Sequence, residues 1–330
     1  MILVLNCGSQ SIKWKVFSEK LQVLKEGKCD VSSAADYEKE LDNEIGKLKD
    51  FEITLIGHRV VHGGQKFVAP TKISTDTVME LEKLNDLAPL HNPYNILGIK
   101  TCTKLFDTAP QIAFFDTEFF ANLPERACTY ALPENLNKEF GFRRYGFHGI
   151  SHEFVSKKAG GRKIISCHLG GGTSIAAIKN GKAVDISMGF TPMEGLVMIT
   201  RSGSIDPGII LKMSEKLGAE KTKEILNKKS GLKGICGANN MLEVLDMIKN
   251  SDEKAKLALD VFVYSIQKYI GAYFAILGGC DVLVFTGAIG SGSAKIRNMI
   301  CKDLNILDKA KILAIETDEE LAIATKIKNN

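Results

Sequence analysis

Two distant stretches of the chain share one plan, and this repeat limits the folds that the chain can adopt. The first runs ILVLN, CGSQS, IKWKVF from residue 2, and the second runs IISCH, LGGGTS, IAAIKN from residue 164. Each reads as a buried strand, a turn rich in Gly, Ser or Thr, and a returning strand. The repeat therefore predicts two related α/β domains that face each other.

The turns of this repeat suit anion binding, because glycines let backbone N–H groups approach an anion and hydroxyls add donors. Two such turns would grip successive phosphates of a nucleotide, whereas either turn alone is more typical of an ordinary hairpin. A third glycine turn, 287–292, follows the apolar strand 281–285 and has the spacing GxxGxG. It can also cradle a nucleotide, but no acidic ribose ligand follows, which disfavours a Rossmann dehydrogenase.

Strands and helices alternate along the rest of the chain. Further strands are predicted at 53–58, 110–116, 163–169 and 173–178. Helices are predicted at 37–48, from Ser74 or Thr75 to before Pro89, and after Asn92 as N-cap with Pro93 at the first helical position. The apolar stretch 257–277 is predicted to be a core helix, since a membrane span would have to bury its Asp, Gln and Lys side chains.

Composition favours a small-molecule enzyme. The 330 residues are 45% hydrophobic and carry a net charge of only +4, which is typical of a globular protein with one large or two medium domains. Lysines are not interleaved with aromatic residues in one patch, so nucleic acid is not an expected partner, and the polar residues within 257–277 argue against a membrane. The eight cysteines form no CxxC pairs, which argues against a zinc site or a disulfide framework and favours a cytoplasmic location.

The six histidines all lie near turns or strand ends, which suggests a cleft lined with imidazoles. The spacing of His148 and His152 would suit two metal ligands on one helical face. However, Ser151 is a natural N-cap, which would leave His148 before the helix. A zinc site is therefore less favoured than a structural role.

Two arginines and two carboxylates are placed to handle a phosphoryl group. Arg59 ends a strand before a Gly-Gly pair, and Arg201 lies in a polar loop. Guanidinium forks suit phosphoryl and carboxylate oxygens, although a single arginine more often forms a surface ion pair. Asp116, at the end of an apolar strand, and Glu319 are both candidate Mg²⁺ ligands. The next residue, Glu320, is expected to complete a capping box with Thr317 at the start of the last helix.

Taken together, these motifs resemble the acetate kinase family. The matches follow the family's order over nearly the whole chain. They are LNCGSQSIK (5–13), GHRVVHGG (57–64), PLHNP (89–93), FFDTEF (114–119), RYGFHGISH (144–152), CHLGGGTS (167–174), SMGFTPMEGL (187–196), TRSGSIDPG (200–208), KKSGLKGICG (228–237), VFTGAIG (284–290) and TDEELAIA (317–324).

The resemblance implies an α/β fold of two duplicated actin-like (ribonuclease H-like) domains with the active-site cleft between them. The first domain would be 1–146, completed by helix 318–330, and the second would be 147–317, carrying the nucleotide-binding turns and a homodimer interface to which helix 257–277 is suited. The implied reaction is reversible, Mg²⁺-dependent, in-line transfer between ATP and acetate, giving ADP and acetyl phosphate.

The resemblance also implies roles for individual residues. Catalysis would fall to Asp116, Arg59, Arg201 and His148. Nucleotide phosphates would contact Asn6, Ser9, Ser11, Lys13, His168, Gly170, Gly172, Gly287 and Gly290, and Mg²⁺ would be bound by Asn6 and Glu319. The alkyl end of the acid would contact Val61, Leu90, Phe147 and Pro192. A valine at position 61 favours acetate over longer or branched acids such as butyrate, but one methylene discriminates by only about 1–3 kcal/mol, so propionate stays an alternative substrate.

The departures from the family concentrate on the adenosine side. The chain is shorter than usual, with loops trimmed, for example between 155 and 164. The family's Asp-x-Arg falls on Met241 and Glu243, its GIGEN ends in Ser291 and Gly292, and its phosphate-turn serine is Gln10. Smaller departures are Phe120 after FDTEF and the Gly-Gly-Gly turn in place of GNG. Relaxed nucleotide selectivity, or pyrophosphate as donor, is therefore an alternative, as is a catalytically inactive nucleotide-binding relative.

Overall fold

The computed structural model describes residues 1–8, 11–31, 33, 35–89 and 91–329, and these form two compact units. Unit 1 comprises Met1–Ala121, Phe147–Phe154 and Asp318–Asn330, and unit 2 comprises Asn122–Gly146 and Val155–Thr317. The domain boundaries stated above stay a prediction.

Unit 1 is built on a mixed sheet. Its strands are β1 (Ile2–Cys7), β2 (Ser11–Phe17), β3 (Val23–Asp30), β4 (Leu55–Val60), β5 (Thr71–Lys72) and β6 (Gln111–Phe115), in the order β3-β2-β1-β4-β6-β5. Its helices are α1 (Tyr37–Gly46), α2 (Thr75–Glu82), α3 (Asn92–Leu105), the start of α6 (Gly149–Ala159) and α14 (Glu319–Asn329), with a 3-10 turn at Glu118–Phe120.

Unit 2 has the second sheet and most of the helices. Its strands are β7 (Lys163–Leu169), β8 (Thr173–Lys179), β9 (Lys182–Ile186), β10 (Val282–Thr286) and β11 (Lys311–Ala314), in the order β11-β10-β7-β8-β9. Its helices are α4 (Glu125–Cys128), α5 (Glu134–Phe140), α7 (Pro207–Leu217), α8 (Ala219–Lys228), α9 (Gly231–Cys236), α10 (Met241–Lys249), α11 (Glu253–Leu277), α12 (Gly287–Gly292) and α13 (Ala294–Cys301), with a 3-10 turn at Asn305–Leu307.

The two sheets repeat one topology. In unit 1, β1 pairs antiparallel with β2 and parallel with β4, and β4 pairs parallel with β6. In unit 2, β7 pairs antiparallel with β8 and parallel with β10, and β10 pairs parallel with β11. A third antiparallel strand extends each hairpin. The predicted duplication of an α/β unit is confirmed by this shared strand order.

Alternation along the central strand of unit 1 places helices on both faces of its sheet. Leu3 and Leu5 pack toward the cluster that contains α1, whereas Val4 packs with Ile323 of α14. On β4, a Cβ added to Gly57 would lie 2.6 Å from Cγ2 of Ile323. The absence of a side chain at this glycine therefore lets α14 lie directly against the sheet.

The long helix α11 forms the centre of the core of unit 2. Nine of its residues are buried, and they pack with the inward-facing residues of β7, β8 and β10. The prediction of a core helix over 257–277 is therefore correct, although the helix begins earlier, at Glu253. Among the described residues, no helix combines the length and apolar character needed to cross a membrane.

Several predicted element ends are wrong, and tertiary contacts explain two of them. Helix α3 begins at Asn92 with His91 as N-cap, because the Asn92 side chain exchanges hydrogen bonds with the backbone of His62 at 3.1 Å each. Helix α6 begins at Gly149, so Ser151 lies inside the helix and is not its N-cap. His148 does precede the helix, as predicted, with a left-handed φ of 60°.

Candidate active site

Unit 1 gathers polar side chains at one edge of its sheet. Asn6 lies near the end of β1, Arg59 near the end of β4, and Asp116 directly after β6. These three strands are parallel to one another, so their carboxyl ends meet at the same edge. Glu319, the first residue of α14, contacts the same group. The sequence named all four residues, and the structure brings them together.

Arg59 links the other three side chains. Its Nε and Nη2 donate to the two carboxylate oxygens of Asp116 at 3.0 and 2.6 Å, which is a bidentate pair. Its Nη1 lies 2.9 Å from Oε2 of Glu319 and donates to Oδ1 of Asn6 at 3.2 Å. The guanidinium is thus held in one plane and one direction. The side chain of Asp116 is only 1% exposed, so this ion pair is largely shielded from water.

The cluster carries an excess of negative charge. The amide of Asn6 donates to Glu319 at 3.2 Å and to Glu320 at 3.1 Å, so two carboxylates share the Arg59 guanidinium and a third lies beside them on Asn6. Burial raises the pKa of Glu319 from 4.5 to about 7; Arg59 opposes this shift, while Asp116 and Glu320 add to it by repulsion. A cation or a proton at Glu319 would relieve the repulsion.

The donors of this cluster suit Mg²⁺, which needs few protein ligands, better than a metal ion that is bound by protein side chains alone. Among the described residues, no group of three or more His, Cys, Asp or Glu side chains is arranged to hold a metal ion. Mg²⁺, however, is usually bound through one or two carboxylates and completes its octahedron with water and substrate phosphate. The excess charge at Glu319 and the amide oxygen of Asn6 meet that requirement.

The start of α14 is fixed by a lysine that sequence reasoning did not single out. Nζ of Lys15 lies 2.8 Å from Oδ2 of Asp318, and Oδ1 of Asp318 accepts from the backbone N–H of Leu321 at 2.9 Å. Asp318 is therefore the capping side chain, and the predicted capping box with Thr317 is wrong. Glu320 turns away from the helix end to Asn6, a contact that no local pattern signals.

His148 is placed next to Asp116 by the backbone. The N–H of Gly149 donates to the carbonyl of Asp116 at 2.9 Å, and a Cβ at residue 149 would overlap that oxygen. Glycine is therefore required where the start of α6 meets the end of β6. Lys326 of α14 joins the same region, with Nζ 2.8 Å from Glu118 and 2.6 Å from Glu153.

Two of the predicted acyl-pocket residues lie in unit 1. Val61 is buried, and its N–H donates to Oδ1 of Asn95 at 3.0 Å. Phe147 is also buried and packs edge-on against His62, with ring centroids 5.4 Å apart. Leu90, the third predicted lining residue of this region, lies outside the described residues.

Not all histidines line a cleft, contrary to the expectation from sequence. His58 is in the interior of unit 1, where its Nε2 lies 2.6 Å from Oε1 of Gln111. Burial lowers the pKa of His58 to about 4, so it is a neutral structural residue. His62 and His152 are also fully buried.

The first phosphate turn is only partly described. Ser9 and Gln10 lie outside the described residues, and beside them the N–H of Gly8 donates to the carbonyl of Ser11 at 2.8 Å. Lys13 pairs with Asn6 across β1 and β2 and is exposed. Its ammonium therefore lies near the carboxylate cluster and is accessible to an anion.

In unit 2, the glycine turns meet at the carboxyl ends of β7 and β10. His168 pairs with Thr286 across these strands, and the N–H of Gly170 donates to the carbonyl of Gly172 at 3.1 Å. Gly287 has a φ of 76°, and a Cβ there would lie 2.6 Å from the carbonyl oxygen of Leu169. The predicted phosphate-binding residues His168, Gly170, Gly172, Gly287 and Gly290 therefore belong to one sheet edge.

Arg201 is a half-buried cation in unit 2. Its Nη1 donates to the carbonyl of Pro192 at 3.2 Å and approaches Sδ of Met198 at 3.7 Å. No carboxylate of the described chain pairs with it, and burial lowers its pKa. A desolvated guanidinium without a counter-ion favours binding of an anion. Pro192, predicted to contact the alkyl end of the acid, is thus directly linked to Arg201.

The adenosine-side departures have structural roles of their own. Met241 is buried in the core of unit 2, and Glu243 forms a capping pair with Asn240, whose Oδ1 accepts from the N–H of Glu243 at 2.9 Å. Oγ of Ser291 donates to the carbonyl of Gly287 at 2.8 Å inside α12. Each of the three side chains therefore has contacts within unit 2 that account for its position.

Comparison with known proteins gives one consistent family. The Acetokinase family model matches residues 38–329. An acetate kinase of Carboxydothermus hydrogenoformans is 41% identical, covering 98% of this chain and 97% of the relative. Its alignment extends over 386 positions, more than the 330 residues of this chain, in keeping with the predicted trimmed loops.

Solved structures agree. The crystal structure of acetate kinase from Porphyromonas gingivalis has a TM-score of 0.88 at 37% identity and covers 98% of each chain. That of a propionate kinase from Francisella tularensis has a TM-score of 0.89 at 37% identity, again covering 98% of each chain. The predicted fold class, duplicated actin-like α/β domains, is confirmed by these likenesses and by the shared topology of the two sheets.

Proposed function

We propose, since the chain belongs to the acetokinase family, that it is an acetate kinase that transfers a phosphoryl group reversibly between ATP and acetate, giving ADP and acetyl phosphate. The observation that carries this proposal is the largely shielded cluster of Asn6, Arg59, Asp116 and Glu319. Such a cluster is suited to charge that moves between carboxylate and phosphate oxygens.

In the proposed reaction, a carboxylate oxygen of acetate attacks the γ-phosphorus of ATP in line, and the bond to the β-phosphate oxygen of ADP breaks. Arg59 holds acetate or the phosphoryl oxygens, because its guanidinium is already oriented by Asp116. Arg201 supplies a second guanidinium whose charge is otherwise unpaired. Both arginines stabilise the negative charge on the phosphoryl group during its transfer.

Asp116 and His148 are proposed to act beside this group. Asp116 fixes Arg59, and its backbone carbonyl fixes the residue that follows His148. His148 is proposed to donate to the transferring phosphoryl oxygens. Mg²⁺, which Asn6 and Glu319 are proposed to hold, supplies positive charge that offsets the phosphate oxygens.

Nucleotide phosphates are proposed to bind the glycine turns of both units. In unit 2, Gly170, Gly172, Gly287 and Gly290 lie in the turns that follow β7 and β10, and His168 is the second-last residue of β7. In unit 1, Ser9, Ser11 and Lys13 would complete the set. Their support is the repeat of strand, turn and strand at the same edge of both sheets.

Acetate is the proposed acid, and propionate is a less favoured alternative. Val61, Phe147 and Pro192, together with Leu90, are proposed to form the alkyl pocket, which the buried Val61 would keep small. The Francisella relative is described as a propionate kinase, so the two acids are compared directly in the test below.

ATP is the proposed phosphoryl donor. Pyrophosphate is retained as a second candidate, because the residues expected to contact adenosine depart from the family. Met241 is buried in the core and Glu243 caps a helix, so neither provides the guanidinium that would stack on adenine. Phosphate contacts, which are retained, usually supply most of the binding in such turns. A catalytically inactive relative is disfavoured because Arg59, Asp116, His148 and Arg201 are all present.

The proposal extends to assembly and location. Helix α11 exposes Leu257, Tyr264 and Ile276 to 56, 64 and 53%, which supports a homodimer formed through unit 2. The eight free cysteines support a cytoplasmic location, where thiols stay reduced.

A hydroxamate assay for acyl phosphate tests the proposed function. It combines acetate or propionate with Mg²⁺ and either ATP or pyrophosphate. Asp116→Ala and Arg201→Ala are each expected to lower turnover about 100-fold or more. The matched controls Asp107→Ala and Arg126→Ala change exposed residues and should retain activity. Folded wild-type protein that forms no acyl phosphate from either acid and either donor would refute the proposal, and product from pyrophosphate alone would replace the donor.

A further inference from the structure

We propose that Glu194 is a positioning residue that holds residues 187–196, here called the acyl loop, so that Pro192 orients the guanidinium of Arg201. The inference rests on the proposed function, in which Arg201 binds the reacting anion. No motif argument assigned Glu194 a role, and all its partners described below lie in unit 2.

Both oxygens of the Glu194 carboxylate are bound by residues outside the acyl loop. Nη2 of Arg144 donates to Oε1 at 2.6 Å, and the hydroxyl of Tyr130 donates to Oε2. The same hydroxyl accepts from the N–H of Phe190 at 2.8 Å. Tyr130 thus holds the acyl loop at both Phe190 and Glu194.

Arg144 also fixes the point where the acyl loop begins. Its Nη1 donates to the carbonyls of Ile186 and Ser187, each at 3.2 Å. The side chains of Arg144 and Glu194 are 18 and 31% exposed, so this ion pair is partly shielded from solvent. One guanidinium therefore ties the beginning of the loop to its end.

A glycine makes room for this network. A Cβ at Gly189 would overlap both Oε2 of Glu194 and the hydroxyl of Tyr130. The carbonyl of Gly189 accepts from the N–H groups of Tyr145 and Gly146 at 3.1 and 3.3 Å. The loop is therefore wound closely around the Glu194 carboxylate, and small changes there would shift its backbone.

The loop in turn directs Arg201. The carbonyl of Pro192 accepts from Nη1 of Arg201 at 3.2 Å, and no carboxylate of the described chain competes for this guanidinium. The segment that carries Arg201 is tied to the same loop, since Gly195 and Ser204 exchange hydrogen bonds at 3.1 and 2.9 Å. Loss of the Glu194 contacts would therefore displace Pro192 and misalign Arg201.

The experiment compares Glu194→Gln, Tyr130→Phe and the double variant with the controls Glu215→Gln and Glu220→Gln, which remove a carboxylate charge at exposed positions of unit 2. Each network variant is expected to lower kcat/KM for acetate about tenfold, mainly through KM, and to change the ratio of acetate to propionate use. The double variant should lose less than the product of the single losses, because the two residues act in one network. The controls should match wild type.

Hydrogen exchange of the folded proteins gives a readout that does not depend on activity. Faster exchange over 187–196 and around residue 201 in the network variants, but not in the controls, is the expected result. Active wild type with unchanged KM, acid preference and exchange in the network variants would overturn the inference and leave the proposed function intact. If wild type itself lacks activity, the proposed function fails, and the exchange data alone decide whether Glu194 holds the loop.

Discussion

Replacement of Glu319 by glutamine is expected to stabilise the folded protein at alkaline pH, although it removes an ion pair. Burial raises the pKa of this carboxyl from 4.5 to about 7, against the attraction of Arg59 and with repulsion from Asp116 and Glu320. At neutral pH and above, the folded state must therefore hold a charge that it disfavours. Glutamine keeps the shape of the side chain and removes that charge.

The sign and size follow from proton linkage. Below pH 4.5 the carboxyl is protonated in both states, so it contributes no difference. As the pH rises, the unfolded chain releases the proton first, and the free energy of unfolding of the wild type falls until the folded state also releases it near pH 7. At 1.36 kcal/mol per pH unit, the difference between the folded and unfolded pKa values lowers the free energy of unfolding of the wild type by about 3 kcal/mol. This loss is complete above about pH 7.

Urea unfolding in EDTA provides the assay, and the single tryptophan makes it selective. Trp14 is buried in β2, so its fluorescence reports on unit 1, which contains Glu319. Glu319→Gln is expected to gain less than about 1 kcal/mol over wild type near pH 5 and about 3 kcal/mol near pH 8. The control Glu19→Gln changes an exposed carboxylate of the same unit and should show no such dependence.

Binding of Mg²⁺ gives a second test of the excess negative charge at the cluster. Added Mg²⁺ is expected to stabilise wild type near pH 8 more than Glu319→Gln, because ligand binding to the folded state adds to its stability. A variant that is less stable than wild type near pH 8 would show that the ion pair with Arg59 outweighs the repulsion. The account of an excess negative charge in the cluster would then be wrong.

Three further perturbations follow from the same contacts. Gly149→Ala is expected to destabilise the protein by about 1–3 kcal/mol and to lower turnover, because the new Cβ overlaps the carbonyl of Asp116. Thermal unfolding and the hydroxamate assay measure the two effects, and wild-type values in both would contradict the prediction. Lys326→Met should destabilise unit 1 by about 1–3 kcal/mol, because it removes the ammonium that two carboxylates share, with substantial rescue by Lys326→Arg and no effect of the exposed control Lys328→Met in urea unfolding. Arg201→Met should raise the melting temperature while abolishing activity, since it removes a half-buried charge that pairs with no carboxylate of the described residues; a fall in stability would reveal a partner.

The repeat was the most informative part of the sequence, because strand, turn and strand are local features. The stretches ILVLN and IISCH become β1 and β7, and each pairs with its returning strand in the predicted antiparallel sense. The order of the remaining strands depends on long-range pairing, which no local pattern encodes. It was implied only by the resemblance to the family.

Helix starts were less predictable where a tertiary contact overrides local preference. Ser151 is a good N-cap by composition, yet α6 begins at Gly149 because that glycine fits against the carbonyl of Asp116. At α14, Thr317 and Glu320 have the spacing of a capping box. Glu320 instead accepts from Asn6, a residue at the other end of the chain, and this contact could not be seen from the sequence.

The residues of the site also fall into two groups, those that the sequence predicts and those that only the structure shows. Arg59, Asp116 and Glu319 were predicted from their local sequence and Asn6 from the resemblance to a known family, and the structure brings all four into contact. The residues that hold them in place carry no such signal. Lys326, for example, cannot be distinguished by sequence from an exposed lysine on a helix, and only the structure shows its two carboxylate partners.

The order of the chain has a consequence for synthesis. Glu319 and the rest of α14 complete the carboxylate cluster of unit 1, yet they follow the whole of unit 2 in the sequence. On a ribosome, the sheet of unit 1 and four of the five strands of unit 2 emerge well before the first residue of this helix. The nascent chain therefore holds an incomplete carboxylate cluster while most of unit 2 is being made, and the cluster is completed only by the last helix.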